Sequence, residues 1–181
     1  IANPTVGILN VDGARQTETA LKQLKDNGYD ITFATSGRAD GGCVMRGNDL
    51  LTGSCDVMVT DPLTGNILIK TMSAFTSGGS YESVGYGYGP GIGEGYERLV
   101  LIVSRASGAP VIANALEFGS QLVKNNYRAI AAAEFAAANK AGLKDILESR
   151  KAAANKTAAP KEQVGAPAKE GVTSAFAGIE I

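Results

Sequence analysis

The chain has 181 residues, a formal net charge of −1, no histidine, no tryptophan and only two cysteines, Cys43 and Cys55. A Ser-His-Asp triad, a Cys-His pair and a His-ligated zinc are thereby excluded within it, and two thiols are too few for a thiolate metal cluster. The balanced charge argues against nucleic acid as a partner, no apolar run reaches the about 20 residues that span a bilayer, and no signal-peptide pattern opens the chain.

A chain of this length buries a core without disulfides, so the composition indicates a cytoplasmic α/β protein of a reducing compartment. In chain order, Thr5-Val-Gly-Ile-Leu-Asn-Val11 is an apolar run bounded by Pro4 and Asp12-Gly13, which predicts a fully buried strand. Residues 14–27 carry Ala20, Leu21 and Leu24 at helical spacing, and Asn27-Gly28 predicts a left-handed cap. Asp30-Ile-Thr-Phe-Ala34 reads as a second strand. A glycine-rich loop over 36–42 then leads through Cys43-Val-Met-Arg46 into a short helix at Asn48-Asp-Leu-Leu-Thr52. A third strand at 56–60 and a helix over 64–75 follow. Arg98-Leu-Val-Leu-Ile-Val-Ser104 is the fourth strand, and residues 110–124 and 127–150 read as helices. Repeated βα units with short strands predict a three-layer α/β/α fold with a mostly parallel sheet.

Residues 1–150 are expected to form this domain. From 151 the composition drifts to Ala, Lys, Pro, Glu and Gly, which predicts a linker or tail over 151–181. The start at Ile1 and the apolar end Phe176-Ala-Gly-Ile-Glu-Ile181 read as a fragment whose linker is cut short.

Three constellations carry chemistry. In Asp56-Val-Met-Val-Thr-Asp61-Pro-Leu-Thr-Gly-Asn66-Ile-Leu-Ile-Lys70 a strand meets a polar turn and an apolar helix, an arrangement that aims N–H groups and a helix dipole at one spot. Asp61, Thr64, Gly65 and Asn66 sit where a ligand meets the strand's carboxyl end, although the same residue types serve as ordinary turn and N-cap residues. Lys70 is expected to be solvated. The second constellation is Ser104-Arg105-Ala-Ser107-Gly108, directly after the fourth strand. There an arginine can hold phosphate bidentately with hydroxyls beside it, or else pair with a surface carboxylate while Ser107 caps the next helix. The third, residues 78–95, is a glycine-rich loop whose tyrosines, Tyr81, Tyr86 and Tyr88, form a lid or an interface. It does not lie between a strand and an immediate helix, so its Gly-x-Gly spacing is no dinucleotide fingerprint. Cys43 and Cys55 read as small buried hydrophobes, and Arg46 lowers the Cys43 pKa only if the two face each other.

The blocks Thr5–Val11, Gly47-Asn-Asp-Leu-Leu-Thr-Gly53, Asp56–Asp61 and Leu63-Thr-Gly-Asn-Ile-Leu-Ile-Lys-Thr-Met72 resemble the second half of phosphate acyltransferases of the phospholipid-synthesis type. The run from Phe75 to Gly93 departs from those lipid enzymes. Together with Asn10-Val-Asp-Gly-Ala-Arg-Gln-Thr-Glu18 and Gly37-Arg-Ala-Asp-Gly-Gly42, it resembles the alpha subunits of component C of glycine/sarcosine/betaine reductases, over residues 3 to about 148. The resemblance implies one half of a phosphate acyltransferase-like (isopropylmalate dehydrogenase-like) fold. It further implies release of an enzyme-bound acetyl thioester by phosphate as acetyl phosphate, with no cofactor beyond substrate phosphate and no metal. The implied partners are a beta subunit of the same component, a selenoprotein carrying the substrate group, and phosphate, in an oligomer with no nucleic acid and no membrane.

Related phosphate acetyltransferases use a Ser-Arg pair after a strand, and Ser104-Arg105 resembles it. Their following aspartate has no counterpart, since positions 110–112 are Pro, Val and Ile. The acyl-carrying cysteine the resemblance implies lies in a Gly-Cys-Thr-Gly-like segment that neither Cys43 nor Cys55 matches. The expected catalytic residues are therefore Ser104, Arg105 and Asp61, with Thr64, Gly65, Asn66, Arg105 and Ser107 on phosphate. An acyl-carrier-protein-dependent acyltransferase, which requires an acyl groove and a basic patch, and a non-catalytic assembly lobe are the alternatives.

Overall fold

The structure, a computed structural model, describes residues 1–157. The chain divides into two units, Ile1–Leu147 and Glu148–Ile181. The linker expected from composition falls mainly on residues 158–181, which lie outside the described residues.

The first unit is α/β, and its sheet is zipped onto one strand. Strand β1 (Thr5–Leu9) pairs in parallel with β2 (Thr32–Phe33), β3 (Val44–Met45) and β4 (Val57–Val59). Ile8 N–H donates to the Cys43 carbonyl, Asn10 N–H to Met45, and Ala34 N–H to Val6. On the β1 segment all three bonds use even-numbered residues, Val6, Ile8 and Asn10, so β2 and β3 share one edge of β1 in succession and β4 takes the other. The two-residue β3 is too short to carry a periodic signal, which is why the sequence reads it as a lead-in to a helix.

Helix α1 (Ala14–Asp26) buries Ala14 and Leu24, with Ala20 and Leu21 on the same stripe. It ends in a Schellman cap: Gly28, at φ 95°, donates to the Lys25 carbonyl and Tyr29 N–H donates to Leu24. Leu24 packs with Ile31, Ala141 and Ile146, while Ile8, Ala14 and Cys43 form the adjoining cluster with Val59 and Phe33. On the opposite face of β1, Met45 is completely buried over Gly7. A Cβ at Gly7 would stand 2.6 Å from Met45 Cγ and 2.8 Å from Cys55 Sγ, so glycine is required there by packing.

Short helix α2 (Gly47–Thr52) is anchored by the buried Asp49. Its carboxylate accepts from Ser36 Oγ, the Gly37 and Arg46 N–H groups and Ser54 Oγ, at 2.8 to 3.3 Å. The Arg46 and Gly37 N–H bonds hold its carboxyl at about 2. Helix α3 (Pro62–Ser77) starts earlier than 64, with Asp61 as N-cap and Pro62 at its first position. Buried Ser73 in α3 accepts from the Ser83 and Val84 N–H groups through Oγ, each at 3.1 Å, and so pins the glycine-rich loop to the helix.

Part of that loop is regular structure. Tyr88–Gly91 form strand β5, antiparallel to β6 (Val100–Ile102), in a two-stranded sheet separate from the parallel one. Gly87, at φ 80°, lies so near β6 that a Cβ would be 2.5 Å from the Ile102 carbonyl. The glycines thus let the loop pair with its own neighbour. Helix α4 (Ala109–Lys124) follows. The single helix expected over 127–150 is two, α5 (Tyr127–Lys140) and α6 (Leu143–Thr157), broken where Gly142 adopts φ 87°. Helix α6 also runs seven residues past the expected end at 150.

Three outcomes are expected. Gly7→Ala costs about 1–3 kcal/mol by overpacking, read as a lower urea midpoint. Ser73→Ala strands two N–H donors, at about 1–3 kcal/mol, and accelerates amide exchange selectively at Ser83 and Val84. Because Asp49 titrates lower folded than unfolded, its contribution to stability is complete above about pH 4 and is lost as pH falls toward about 2. Denaturation of Asp49→Asn across that window should show a weaker starting stability and a shallower acid slope than the unsubstituted protein. Part of the slope persists, because Asp56 and Asp61 are held low as well.

Candidate functional site

The start of α3, the glycine-tyrosine segment and the Ser104-Arg105 segment are far apart in sequence and converge in space. Their meeting point is Glu82, whose side chain is 3% exposed. Its backbone joins the Ser-Arg segment: Glu82 N–H donates to the Ala106 carbonyl, and Gly108 N–H donates to that of Glu82. Its carboxylate accepts from Tyr88 Oη at 2.5 Å and from Lys70 Nζ at 3.3 Å. Tyr88 Oη lies 3.3 Å from the Asn66 side chain of α3.

The charges in this cluster support one another. Burial pushes the Glu82 carboxyl up, but the bonds from Tyr88, Lys70 and Ser104 outweigh it and leave it below the usual range. Burial and the Glu82 carboxylate raise Tyr88, which stays a neutral phenol at pH 7. Desolvation lowers Lys70, and the Glu82 and Tyr88 contacts more than offset this, so the ammonium is held charged. Lys70 is therefore an ion-pair member with a half-exposed side chain, where sequence places it simply in solvent. Lys70, Ser73, Glu82 and Ala106 also line a recess of about 160 Å³.

Among the sequence candidates, Asn66, Tyr88 and Ser104 meet in this cluster. Ser104 N–H donates to Ser107 Oγ and Ser104 Oγ accepts from Ala106 N–H, so both serines shape the turn around Arg105. Arg105 is exposed and takes part in no salt bridge among the described residues. Asp61, Thr64 and Gly65 are engaged with one another. Asp61 Oδ1 accepts from Thr64 N–H at 3.0 Å and its carbonyl accepts from Gly65 N–H. The bonds from Thr64 hold the Asp61 carboxyl below the usual range. The N–H groups expected to face phosphate are therefore spent on the cap. Tyr81 packs against Gly108 and lines the same recess as Lys70 and Glu82, whereas Tyr86 meets Phe118 of α4 with ring centroids 5.6 Å apart and the planes tilted.

Glu82 and Lys70 are the residues that sequence reasoning missed. A glutamate in a Ser/Gly/Tyr loop looks solvated, and only its pairing partners, distant in sequence, mark it as buried. The cysteines differ from a reactive pair. Burial, and then Glu18, whose Oε1 lies 3.6 Å from Cys43 Sγ, push the Cys43 thiol up. Arg46 is not its charge partner, and burial likewise raises Cys55. Among the described residues no group of three or more His, Cys, Asp or Glu is placed to hold a metal, and no helix is long and apolar enough to cross a membrane.

Comparison with known proteins adds the family. A family model described as fatty acid synthesis protein matches residues 1–175. The chain is 61% identical over 181 residues to the glycine/sarcosine/betaine reductase complex component C subunit alpha of Peptoclostridium acidaminophilum, covering 100% of this chain and 47% of that protein. Phosphate acyltransferase of Phenylobacterium zucineum is 36% identical over 77 residues, 40% of this chain and 20% of that one. The Halothermothrix orenii phosphate acyltransferase is 30% identical over 82 residues, 42% and 22% of the respective chains. This chain spans about half the length of the first of these relatives, and no solved structure matches it. With nearly its whole length matched, the chain belongs to the fatty acid synthesis protein family, and its α/β architecture with a mostly parallel sheet is of the phosphate acyltransferase-like kind.

Proposed function

We propose that this chain is part of an acetyl-transferring component of a glycine/sarcosine/betaine reductase, in which phosphate releases an enzyme-bound acetyl thioester as acetyl phosphate. A phosphate oxygen attacks the thioester carbonyl, the new C–O bond forms, the C–S bond breaks, and the thiolate leaves. The observation that carries this reading is the convergence of Asn66, Lys70, Glu82, Tyr88 and Ser104 beside Arg105. It occurs in a chain 61% identical to a component C alpha subunit.

In this reading Arg105 supplies the charge for phosphate, with Ser107 two residues on and Asn66 linked to the same cluster through Tyr88 and Glu82. A second anion directly on the α3 N-terminus would have to displace the Asp61 carboxylate, so the helix contributes through its dipole and Asn66. Because phosphate is already a nucleophile, positioning and charge neutralisation supply the catalysis and histidine is not needed. Neither Cys43 nor Cys55 lies in a Gly-Cys-Thr-Gly-like segment, so this reading puts the acyl-carrying thiol elsewhere, and the burial of Cys43 agrees with that. The reaction uses no cofactor besides substrate phosphate, and the partners are a beta subunit and the selenoprotein that delivers the acetyl group.

A second reading, an assembly lobe docking the beta subunit, is favoured by the exposure of Phe75 at 93%, Leu116 at 71% and Leu63 at 66%. Calorimetric titration of the protein with phosphate and acetyl phosphate separates the two. Saturable binding that Arg105→Ala weakens by about 1–3 kcal/mol is expected for the acyl-phosphate reading. No binding by either protein overturns it in favour of assembly.

A further inference from the structure

Resting on the phosphate reading above, we infer that Glu82 is a positioning residue that, through the Tyr88 phenol, sets which way the Asn66 amide faces and so provides the α3 flank of the phosphate site with its donor.

The argument is one of counting protons. A phenol has one hydrogen to donate. Tyr88 Oη is 2.5 Å from Glu82 Oε1 and 3.3 Å from Asn66 Oδ1. The ionised carboxylate is much the stronger acceptor, and a short O–H···O⁻ bond of this length is charge-assisted. The proton therefore belongs to Glu82, and none is left for the Asn66 oxygen. The pairing between Tyr88 and Asn66 is satisfied when the amide turns over and its nitrogen donates to the phenol oxygen. Oxygen and nitrogen of an amide occupy nearly the same positions, so this turn needs no other rearrangement. Asn66 then has a second N–H free for a phosphate oxygen.

Lys70 has a complementary role. A bare carboxylate beside a phosphate site would repel the substrate, but Lys70 Nζ lies 3.3 Å from Glu82 Oε2 and cancels its charge. The backbone of Glu82 meanwhile ties this assembly to residues 106 and 108, on either side of Ser107. If Glu82 cannot accept the phenol proton, Tyr88 turns it toward Asn66. The amide then presents its oxygen to the phenol, and the geometry of its donors changes.

The test measures phosphate affinity by calorimetry and the Asn66 side-chain amide signals by NMR, in the unsubstituted protein, Tyr88→Phe, Glu82→Gln, the double variant and Arg105→Ala. Tyr88→Phe and Glu82→Gln should each weaken phosphate binding about tenfold, the size expected when one charge-assisted partner is lost. The double variant should be no weaker than either single one. Both single variants should shift the Asn66 NH₂ signals before any ligand is added, which a general loss of packing would not do selectively. Should Glu82→Gln fail to fold, Tyr88→Phe, which removes a single hydroxyl, decides. Arg105-dependent binding that Tyr88→Phe leaves unchanged, or Asn66 signals that do not move, overturns the positioning role and leaves the phosphate reading standing. Absence of phosphate binding by the unsubstituted protein overturns the phosphate reading, and with it this role.

Discussion

A carboxylate removed from water costs free energy unless every charge and lone pair is answered, and Glu82 is the place where this protein meets that constraint. Its solution draws on three separate stretches of chain. Lys70 comes from α3, Tyr88 from β5, and the backbone at 106 and 108 from the turn before α4. Ser73 secures the same loop from the α3 side by capturing two of its N–H groups. The loop that looks most flexible in composition is therefore fastened by a buried charge, a buried hydroxyl and a strand pairing.

The parallel sheet obeys a different economy. One five-residue strand, β1, receives three partners, and its two faces are packed by different means. On one, Ile8 meets Ala14, Cys43 and Val59; on the other, Gly7 yields its space to Met45 and Cys55. Asp49 performs for the 36–46 loop what Glu82 performs for the glycine-tyrosine segment, with the difference that its partners are all uncharged donors, two of them hydroxyls and two backbone N–H groups. Uncharged partners make Asp49 an anchor. At Glu82 the partners are the Lys70 ammonium, which cancels the carboxylate's charge, and the Tyr88 phenol.

Much of the architecture was legible in local sequence. The apolar run at Thr5, the Ala20, Leu21 and Leu24 spacing and the Asn27-Gly28 cap all depend on residues within a few positions of one another. The Asp61-Pro62 start of α3 is equally local, yet read from sequence that helix begins at 64. The helix break at Gly142 was carried by a single glycine and was masked by the alanine-rich run before it. Strands β3 and β5 escaped for different reasons: one is only two residues long, and the other, Tyr-Gly-Pro-Gly, lacks strand composition. The pairing of β3 is imposed by β1, far away in sequence, and that of β5 by the neighbouring β6. The same holds for the site. Asn66, Tyr88 and Ser104 stood out as residue types, but their meeting through Glu82 had no local signal.

By itself, the sequence determined the βα succession, the caps, the absence of histidine chemistry and the family resemblance, because each of these is written in neighbouring residues or in the inventory of side chains. Only the tertiary structure decided that Lys70 is paired and that Glu82 is buried. The physical reason is that hydrogen-bond and charge satisfaction is settled between partners brought together by folding, and Glu82 meets Lys70 and Tyr88 across 12 and 6 residues of chain but Ala106 and Gly108 across far more.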